Sequence, residues 1–284
     1  MPLKRNLKKI FDPLIKFIVS NTFTWTITSF LLRVSEWVNY QRSQYEQKLA
    51  EKKLAIHYAD KIVRNGFFKG MKYSSLKSVG SSIFPKLLGS YEIELFPTLL
   101  RLYQNRYDDI LDIGCAEGYY AVGLALKFPV SKIYGYDVDK EALRLCADFA
   151  RHNQVESRVF LYDKCTASTL ESFTYSGRTL IICDCEGYER ELFTNTNINN
   201  LSSADMIIEL HPFAVEGIKK YLVDLFTGTH DLSIISSYDN NRKIFDFRSS
   251  LQGMNRVEQL KSVEEGRSIT MDWLIAESKS NKIK

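Results

Sequence analysis

Short apolar runs alternate with amphipathic stretches between residues 90 and 278, and this alternation predicts strands and helices in turn. The apolar runs predict strands at residues 108–113, 132–137, 159–162, 179–183, 205–210, 230–237 and 271–276. The stretches between them predict helices from Tyr119 and over 140–152, 187–193 and 213–226. Strands that alternate with helices favour an α/β fold with a parallel sheet.

Polar residues follow successive predicted strands at the point where each strand ends. They are Asp112, Asp137, Asp163, Asp184 with Glu186, and Glu209 with His211. The carboxyl ends of parallel strands meet at one edge of an open sheet, which is where ligands bind. The sequence therefore predicts a binding site at this edge.

The first strand runs into a glycine turn that opens a helix. The turn consists of Gly114, Cys115, Ala116, Glu117 and Gly118. Such a turn exposes backbone N–H groups to a ligand, but it lacks the G-x-G-x-x-G spacing of a dinucleotide site. Asp112 would repel a pyrophosphate and attract an ammonium group. Asp137 lies about 20 residues further on, where a carboxylate reaches ribose hydroxyls in such folds.

Two groups of motifs carry a family resemblance. The segment Asp112–Gly118, followed by Tyr136 and Asp137, resembles the first two motifs of class I S-adenosylmethionine (SAM)-dependent methyltransferases. Residues 182–189 and 208–211 resemble the "D-x-E-G-x-E" and "E-x-H" signatures of the FkbM-like branch of these enzymes. The resemblance implies a Rossmann-like fold with a mostly parallel seven-stranded sheet and an antiparallel last strand. It also implies SAM as cofactor and a hydroxyl acceptor, either a sugar of a glycan or a small natural product.

The resemblance assigns cofactor roles along the predicted edge. Gly114 and Gly118 should shape the turn, Asp112 should meet the methionine amine, Asp137 the ribose and Asp163 the adenine amine. The remaining predicted cofactor residues are Glu92, Cys115, Ala116, Glu117, Val138 and Lys164. For Glu92 an alternative stays open, because a helix predicted from Ser90 to Tyr103 would place it in the first turn as a partner of the helix dipole.

Methyl transfer to a hydroxyl is an in-line displacement that needs positioning, exclusion of water and a nearby base. The predicted catalytic residues are Asp184, Glu186 and His211, with His211 favoured as the base by its ordinary pKa. The alternatives are a loop-bonding role for His211 and helix capping for the two acids. Divalent metal binding by Asp184, Glu186 and Glu209 is a further alternative, but no metal is predicted.

Other functions stay open. No Asn/Asp-Pro-Pro-aromatic motif follows the fourth strand, which disfavours adenine methylation of nucleic acid but leaves other nitrogen acceptors. A SAM-binding subunit without turnover, acting in assembly, is a second alternative. An NAD-dependent dehydrogenase is disfavoured by the missing G-x-G-x-x-G.

Composition and charge narrow the setting. Five cysteines without a C-x-x-C pair favour a reduced, cytoplasmic protein. The net charge of +4 is uneven, because residues 1–64 carry +7 and the remainder −3. The predicted methyltransferase domain therefore lacks the basic excess that a nucleic-acid track needs.

The N-terminal region predicts a separate organisation. We expect a helical extension at 1–64, a lid or connector at 65–90 and the methyltransferase domain at 91–284. Residues 17–32 are uncharged between Lys16 and Arg33, and are shorter than a bilayer span. They predict a helix docked on the domain or on a second subunit. A surface helix at 14–38 on the inner face of an anionic membrane and a true membrane span are the alternatives. A second helix is expected over 40–64.

Overall fold

Seven strands form one sheet in the computed structural model, which describes residues 2–175, 177–267 and 269–282. The strands are β1 (Asp109–Ile113), β2 (Lys132–Tyr136), β3 (Val159–Tyr162), β4 (Thr179–Cys183), β5 (Ala204–Leu210), β6 (His230–Ser236) and β7 (Asp272–Ser278). The helices are α1 (Pro2–Ser20), α2 (Thr22–His57), α3 (Ile83–Leu88), α4 (Phe96–Leu102), α5 (Tyr119–Lys127), α6 (Lys140–His152), α7 (Ala167–Ser172), α8 (Glu189–Leu192), α9 (Ile198–Leu201), α10 (Ile218–Phe226), α11 (Asn240–Asp246) and α12 (Arg256–Val263).

The strand order is β3-β2-β1-β4-β5-β7-β6. Strands β1 to β5 are parallel, whereas β7 pairs antiparallel with both β5 and β6. Ile113 is in register with Tyr136 on one side and with Cys183 on the other, so β1, β2 and β4 end together. Each observed strand lies within two residues of its predicted bounds. The predicted Rossmann-like methyltransferase fold is confirmed.

The central strands are buried on both faces, as expected for parallel strands covered by helices. Every residue of β1, β4 and β5 is buried. Alternate residues of β4 enter different cores, because Leu180 and Ile182 pack in one apolar cluster while Ile181 and Cys183 pack in the other. The strand ends are thereby held on a rigid layer beneath the predicted site.

The helix predicted from Ser90 to Tyr103 is wrong at its start. The Ser90 hydroxyl is buried without a hydrogen-bond partner among the described residues and caps nothing, and Glu92 has a left-handed backbone with φ of 48°. A short 3-10 turn follows, and α4 begins at Phe96 with Pro97 in its first turn, where proline fits best. Glu92 is therefore not a first-turn partner of a helix dipole.

Three other helix bounds also need correction. The helix predicted over 213–226 is α10, which begins at Ile218 because Gly217 before it has φ of 72°. The helix predicted over 187–193 is the single turn α8. The helix predicted over 40–64 is the C-terminal part of α2, which ends at His57, and the left-handed Lys61 follows it.

The chain divides into two compact units, residues 1–53 and 54–284. In the first unit α1 and α2 are nearly continuous, since the Asn21 N–H donates to the Phe17 carbonyl and the Trp25 N–H to the Asn21 carbonyl. Among the described residues, no helix has both the length and the apolar character needed to cross a membrane. The boundaries predicted at residues 64 and 90 stay predictions.

The segment predicted as a lid or connector is ordered within the second unit. Phe68 and Tyr73 are buried in the core, and α3 lies at its end. A closing motion of this segment stays a prediction.

Candidate active site

A cavity of about 580 Å³ opens at the edge where β1, β2, β4 and β5 end. Its wall contains ten of the predicted site residues, namely Asp112, Gly114, Cys115, Ala116, Asp137, Val138, Lys164, Asp184, Glu186 and His211. Sites at the carboxyl ends of parallel strands are general for open α/β sheets. The structure therefore brings most of the predicted residues to one place.

The glycine turn at the cavity floor is shaped by close packing. Gly114 has φ of 84°, and a Cβ atom there would lie 1.7 Å from the Asp184 carbonyl oxygen. Gly118 has φ of 98°, and its Cβ would lie 2.5 Å from the Cys146 thiol. Ala116 is also left-handed, with φ of 47°. A side chain fits at neither glycine, and its absence at Gly114 leaves backbone open at the cavity.

Asp112 points a bare carboxylate oxygen at this turn. Its side chain is buried, and Oδ2 has no hydrogen-bond partner among the described residues. Burial raises the pKa of Asp112 to about 8 and the nearby acids Asp184 and Asp137 add to it, while a backbone hydrogen bond from Ala121 opposes the rise. A bound ammonium group would supply the missing partner and stabilise the ionised form.

Asp137 ties the turn to the end of β2. Its Oδ2 accepts a hydrogen bond from the Ala116 N–H at 2.8 Å, and its Oδ1 accepts one from the Asp139 N–H at 2.8 Å. Each carboxylate oxygen has a further lone pair, so two vicinal hydroxyls can still bind. At the rim, the Lys164 ammonium lies 3.7 Å from the ring centre of Tyr188.

Four predicted cofactor residues lie outside this wall: Glu92, Glu117, Gly118 and Asp163. Glu117 is buried and pairs with the Lys86 ammonium at 2.5 Å. It also accepts hydrogen bonds from the Ser78 hydroxyl and the Val79 N–H, each at 3.0 Å. Glu117 therefore anchors the segment at residues 78–79, and its direct contact with the cofactor stays a prediction. Asp163 is exposed.

His211 is enclosed by carboxylates. Its Nδ1 is hydrogen-bonded to Glu189 Oε1 at 2.6 Å, while its Nε2 lies 3.4 Å from Asp184 Oδ1 and 3.6 Å from Glu186 Oε2. Burial lowers the pKa of His211, but the neighbouring carboxylates of Asp184 and Glu189 outweigh it and raise the pKa to about 10. The imidazole is therefore protonated at neutral pH. Its ordinary pKa, the basis for predicting it as the base, does not apply here.

A buried ionic network includes the part of the cavity wall formed by Glu209, Glu265 and Arg267. The Arg267 guanidinium contacts Glu92 at 2.6 Å, Glu265 at 3.2 Å and Glu209 at close range. Burial raises the pKa of Glu209, and the charges of Asp184 and Glu92 add to it while Arg267 and His211 oppose it. One guanidinium thus compensates three buried carboxylates.

Sequence reasoning missed Arg267 and Glu265, although both line the cavity. One signal was present. The predicted last strand is antiparallel, so the residues just before it return to the carboxyl edge of its parallel neighbour. Leu210 at the end of β5 is in register with Asp272 at the start of β7. The turn Glu265-Gly266-Arg267 lies a few residues before that point.

Among the described residues, two groups of side chains have ligand atoms close enough to hold a metal ion. In each group the ligand atoms lie within 4.8 Å of one another, and the groups are Asp184, Glu186 and His211, and Glu92, Asp184 and Glu209. Carboxylates and imidazole are ordinary ligands of divalent ions, but such groups also occur without metal. The expectation that no metal binds stays a prediction.

Comparisons with known proteins match part of this chain. The family model "Methyltransferase small domain" matches residues 97–175. A ribosomal protein L11 methyltransferase from Shewanella amazonensis is 46% identical over 54 residues, covering 19% of this chain and 18% of the relative. The chain thus spans less than a fifth of the length of the curated relative it matches.

Solved structures of methyltransferases also align with the chain. A precorrin-6y C5,15-methyltransferase from Geobacter metallireducens has 11% identity and a TM-score of 0.45, covering 66% of this chain and 87% of that one. An rRNA methylase from Streptococcus thermophilus has 12% identity and a TM-score of 0.42, covering 66% and 97%.

The segment 97–175 matched by the family model contains β1, the glycine turn, β2 and β3. These are the elements that carry Asp112, Gly114 and Asp137. The FkbM-like assignment stays a prediction. The strand order is that of a class I methyltransferase fold, and the methyltransferase domain matched at residues 97–175 implies S-adenosylmethionine as methyl donor.

Proposed function

We propose that this protein methylates a hydroxyl group, on a sugar of a glycan or on a small natural product. The observation that carries the proposal concerns Asp184 Oδ1. This oxygen is buried beside the cavity, lies 3.4 Å from His211 Nε2, and has no hydrogen-bond partner among the described residues. A hydroxyl acceptor can donate the missing hydrogen bond.

The first half of the cavity fits the methyl donor. The unpartnered Oδ2 of Asp112 is placed to take an ammonium group, and Asp137 is placed to accept from paired hydroxyls. The turn at Gly114 leaves backbone exposed because no side chain fits there. SAM, when bound, supplies an electrophilic methyl group attached to a sulfonium.

The part of the cavity lined by Asp184 and His211 receives the proton of the acceptor hydroxyl. Oxygen gains a bond to carbon as the carbon–sulfur bond breaks, and the hydroxyl proton has to leave. Asp184 takes that proton, because its side chain lines the cavity and is 30% exposed. The imidazolium of His211, fixed through Nδ1 by Glu189, lies beside the Asp184 carboxylate and balances its charge. His211 therefore acts as a charged partner.

The cavity mouth suits a polyhydroxylated acceptor. Glu186 is held in a left-handed turn at the rim, and its side chain is 76% exposed. Phe213 lies nearby and is also largely exposed, with its ring centre 5.6 Å from that of His211. Carboxylates accept from adjacent sugar hydroxyls, and an aromatic ring packs against the apolar face of a sugar. These features support the sugar acceptor.

A nitrogen acceptor is the second candidate. The cavity wall carries six carboxylates against three lysine or arginine side chains, and this excess of acids favours a cationic amine. The acids are Asp112, Asp137, Asp184, Glu186, Glu209 and Glu265. The name of the matched relative, a ribosomal protein methyltransferase, adds support for this candidate.

The first experiment is calorimetric titration of the purified chain with SAM, S-adenosylhomocysteine and NAD. We expect binding of the first two and none of NAD. Absence of SAM binding would overturn the proposal. Binding without turnover on any acceptor would support a non-catalytic SAM-binding subunit.

The second experiment follows labelled methyl groups from SAM into extracted glycans, small polyhydroxylated compounds and lysine-containing proteins. The variant Asp184→Asn should keep SAM binding and lose transfer by roughly a hundredfold, the usual size of a lost proton acceptor. Asp224→Asn, at a surface ion pair with Lys220, is the matched control and should be unaffected. A methyl ether in the product supports the proposal, whereas an N-methyl product would establish the second candidate.

A further inference from the structure

The helical segment at residues 11–38 is apolar and exposed. Six of its large apolar side chains are between 45% and 73% exposed: Phe17, Phe23, Trp25, Phe30, Leu31 and Trp37. Water-soluble proteins rarely expose contiguous apolar surface on this scale without a binding partner. The remainder of α2 differs, since its exposed surface carries charges such as Arg42, Glu46 and Lys48.

The charge on and before this segment is positive on balance, because residues 1–38 contain six basic residues and two acids, Asp12 and Glu36. Between Asp12 and Glu36 the chain contains no acidic residue, and its two charges there are Lys16 and Arg33. A further cluster of Lys4, Arg5, Lys8 and Lys9 precedes the segment. Basic residues near an anionic surface each add to binding, and the attraction weakens as salt screens it.

The polar residues within the segment fit a membrane interface. Thr22, Thr24, Thr26 and Thr28 alternate with apolar residues, and two tryptophans lie along the same helix. Tryptophan favours the headgroup level of a bilayer, where its ring is in contact with lipid and its N–H with water.

We propose that the helical segment at residues 11–38 binds the surface of a bilayer that contains anionic lipid. A second copy of the chain fits less well as the occupant. Two such segments would bring Lys16, Arg33 and the preceding basic cluster of both copies together, and like charges repel. An anionic lipid surface meets both the apolar side chains and the positive charge.

The test uses the full chain and vesicles of phosphatidylcholine with or without phosphatidylglycerol. Binding is followed by flotation and by tryptophan emission. Of the three tryptophans, Trp25 and Trp37 lie in the segment, while Trp273 is fully buried and gives a constant background. We expect binding to the anionic vesicles, a blue shift of emission, and weaker binding as salt is added.

The decisive variant replaces Phe23, Phe30 and Trp37 by serine. It should bind anionic vesicles at least about tenfold more weakly, because each side chain removes buried apolar surface. The matched control replaces Ile56, Val130 and Phe245 by serine, which are equally exposed elsewhere in the chain. Circular dichroism and SAM affinity report whether either variant remains folded.

Four outcomes would overturn the proposal. Three of them concern vesicles: no binding to anionic vesicles, equal binding to neutral ones, and an equal loss of binding in the control variant. The fourth is a wild-type chain that forms a dimer and binds no lipid, together with a triple variant that is monomeric. A fifth outcome comes from chemical labelling of the protein from the outside and the inside of sealed vesicles. If the labelling shows that the segment spans the bilayer, a location at the surface is contradicted.

Discussion

Gly114 and Asp184 meet where β1 and β4 end, so closely that a Cβ atom at residue 114 would lie 1.7 Å from the Asp184 carbonyl oxygen. This contact joins the cofactor half of the cavity to the acceptor half. The first residue shapes the turn beside Asp112, and the second carries the proposed proton acceptor. Any side chain at residue 114 has to push the two strand ends apart.

We therefore expect Gly114→Ala to damage both stability and SAM binding. The left-handed backbone alone costs about 1–2 kcal/mol for a residue with a Cβ atom, and overpacking adds roughly 1–3 kcal/mol. Gly70→Ala is the control, because Gly70 has φ of 93° but a Cβ atom there would meet no atom within 4 Å among the described residues. In urea unfolding, Gly114→Ala should be less stable than Gly70→Ala by roughly 2 kcal/mol. Equal losses of stability in the two variants would contradict the packing argument.

The binding of SAM should depend on pH through Asp112. Its pKa of about 8 in the free protein means that protons compete with an ammonium ligand below that pH. Affinity should therefore fall by up to roughly tenfold per unit as the pH drops below about 8, until the pKa of the bound state is reached. Calorimetry in buffers of different ionisation enthalpy should show a proton released on binding.

The matching variant is Asp112→Asn. It should bind SAM about 1.5–3 kcal/mol more weakly, the usual contribution of a hydrogen bond to a charged group, and without this pH dependence. A wild-type affinity that does not change between about pH 6 and about pH 8 would show that Asp112 does not meet the amine.

The stability of the fold should depend on His211 at alkaline pH. Its folded-state pKa is raised from 6.5 to about 10, so the stability it contributes is complete below about 6.5 and is lost as the pH rises through about 10. The variant His211→Gln lacks this contribution. The difference in unfolding free energy between wild type and variant should therefore shrink by several kcal/mol over this range. A constant difference would mean that His211 is neutral in the folded protein.

Removing Arg267 should destabilise the fold severely. In Arg267→Met the buried carboxylates of Glu92, Glu209 and Glu265 lose their shared cation, and breaking a buried ion pair in this way costs about 3–5 kcal/mol. Arg101→Met removes the exposed pair with Glu277 and should cost less than about 1 kcal/mol.

A second substitution tests the electrostatic cause. Glu92→Gln removes one of the uncompensated acids, so Arg267→Met/Glu92→Gln should regain part of the lost stability in urea unfolding. An additive double variant would show that Arg267 acts through packing instead.

The strand layer was predictable because its information is local. Apolar runs such as residues 179–183 end in acids, and two buried faces permit no other pattern. The same reasoning located Asp112, Asp137 and Asp184 at one edge. Predictions from local patterns failed where the conformation of a residue depends on a partner that is distant in sequence. Glu92 is held in a left-handed conformation within reach of Arg267, 175 positions away, and no periodicity near Ser90 records that.

Charged pairs inside the core were the other gap. From the sequence alone, Lys86 and Glu117 would each be expected at the surface, because they are charged. In the structure both are buried and form an ion pair with one another. The same holds for Lys243 and Glu265. A single sequence gives the identity of a charge but not its partner. The pKa of His211 was misjudged for this reason, since Glu189 lies on another element.

The antiparallel strand β7 also has a kinetic consequence. In the described sheet β6 borders β7 on one side and no strand on the other, so amide protons of β6 can exchange with solvent whenever β7 releases it. The chain between them, residues 237–271, carries Glu265 and Arg267. If this hairpin opens as one unit, its opening rate sets an upper limit on how fast an acceptor that needs the hairpin open can enter.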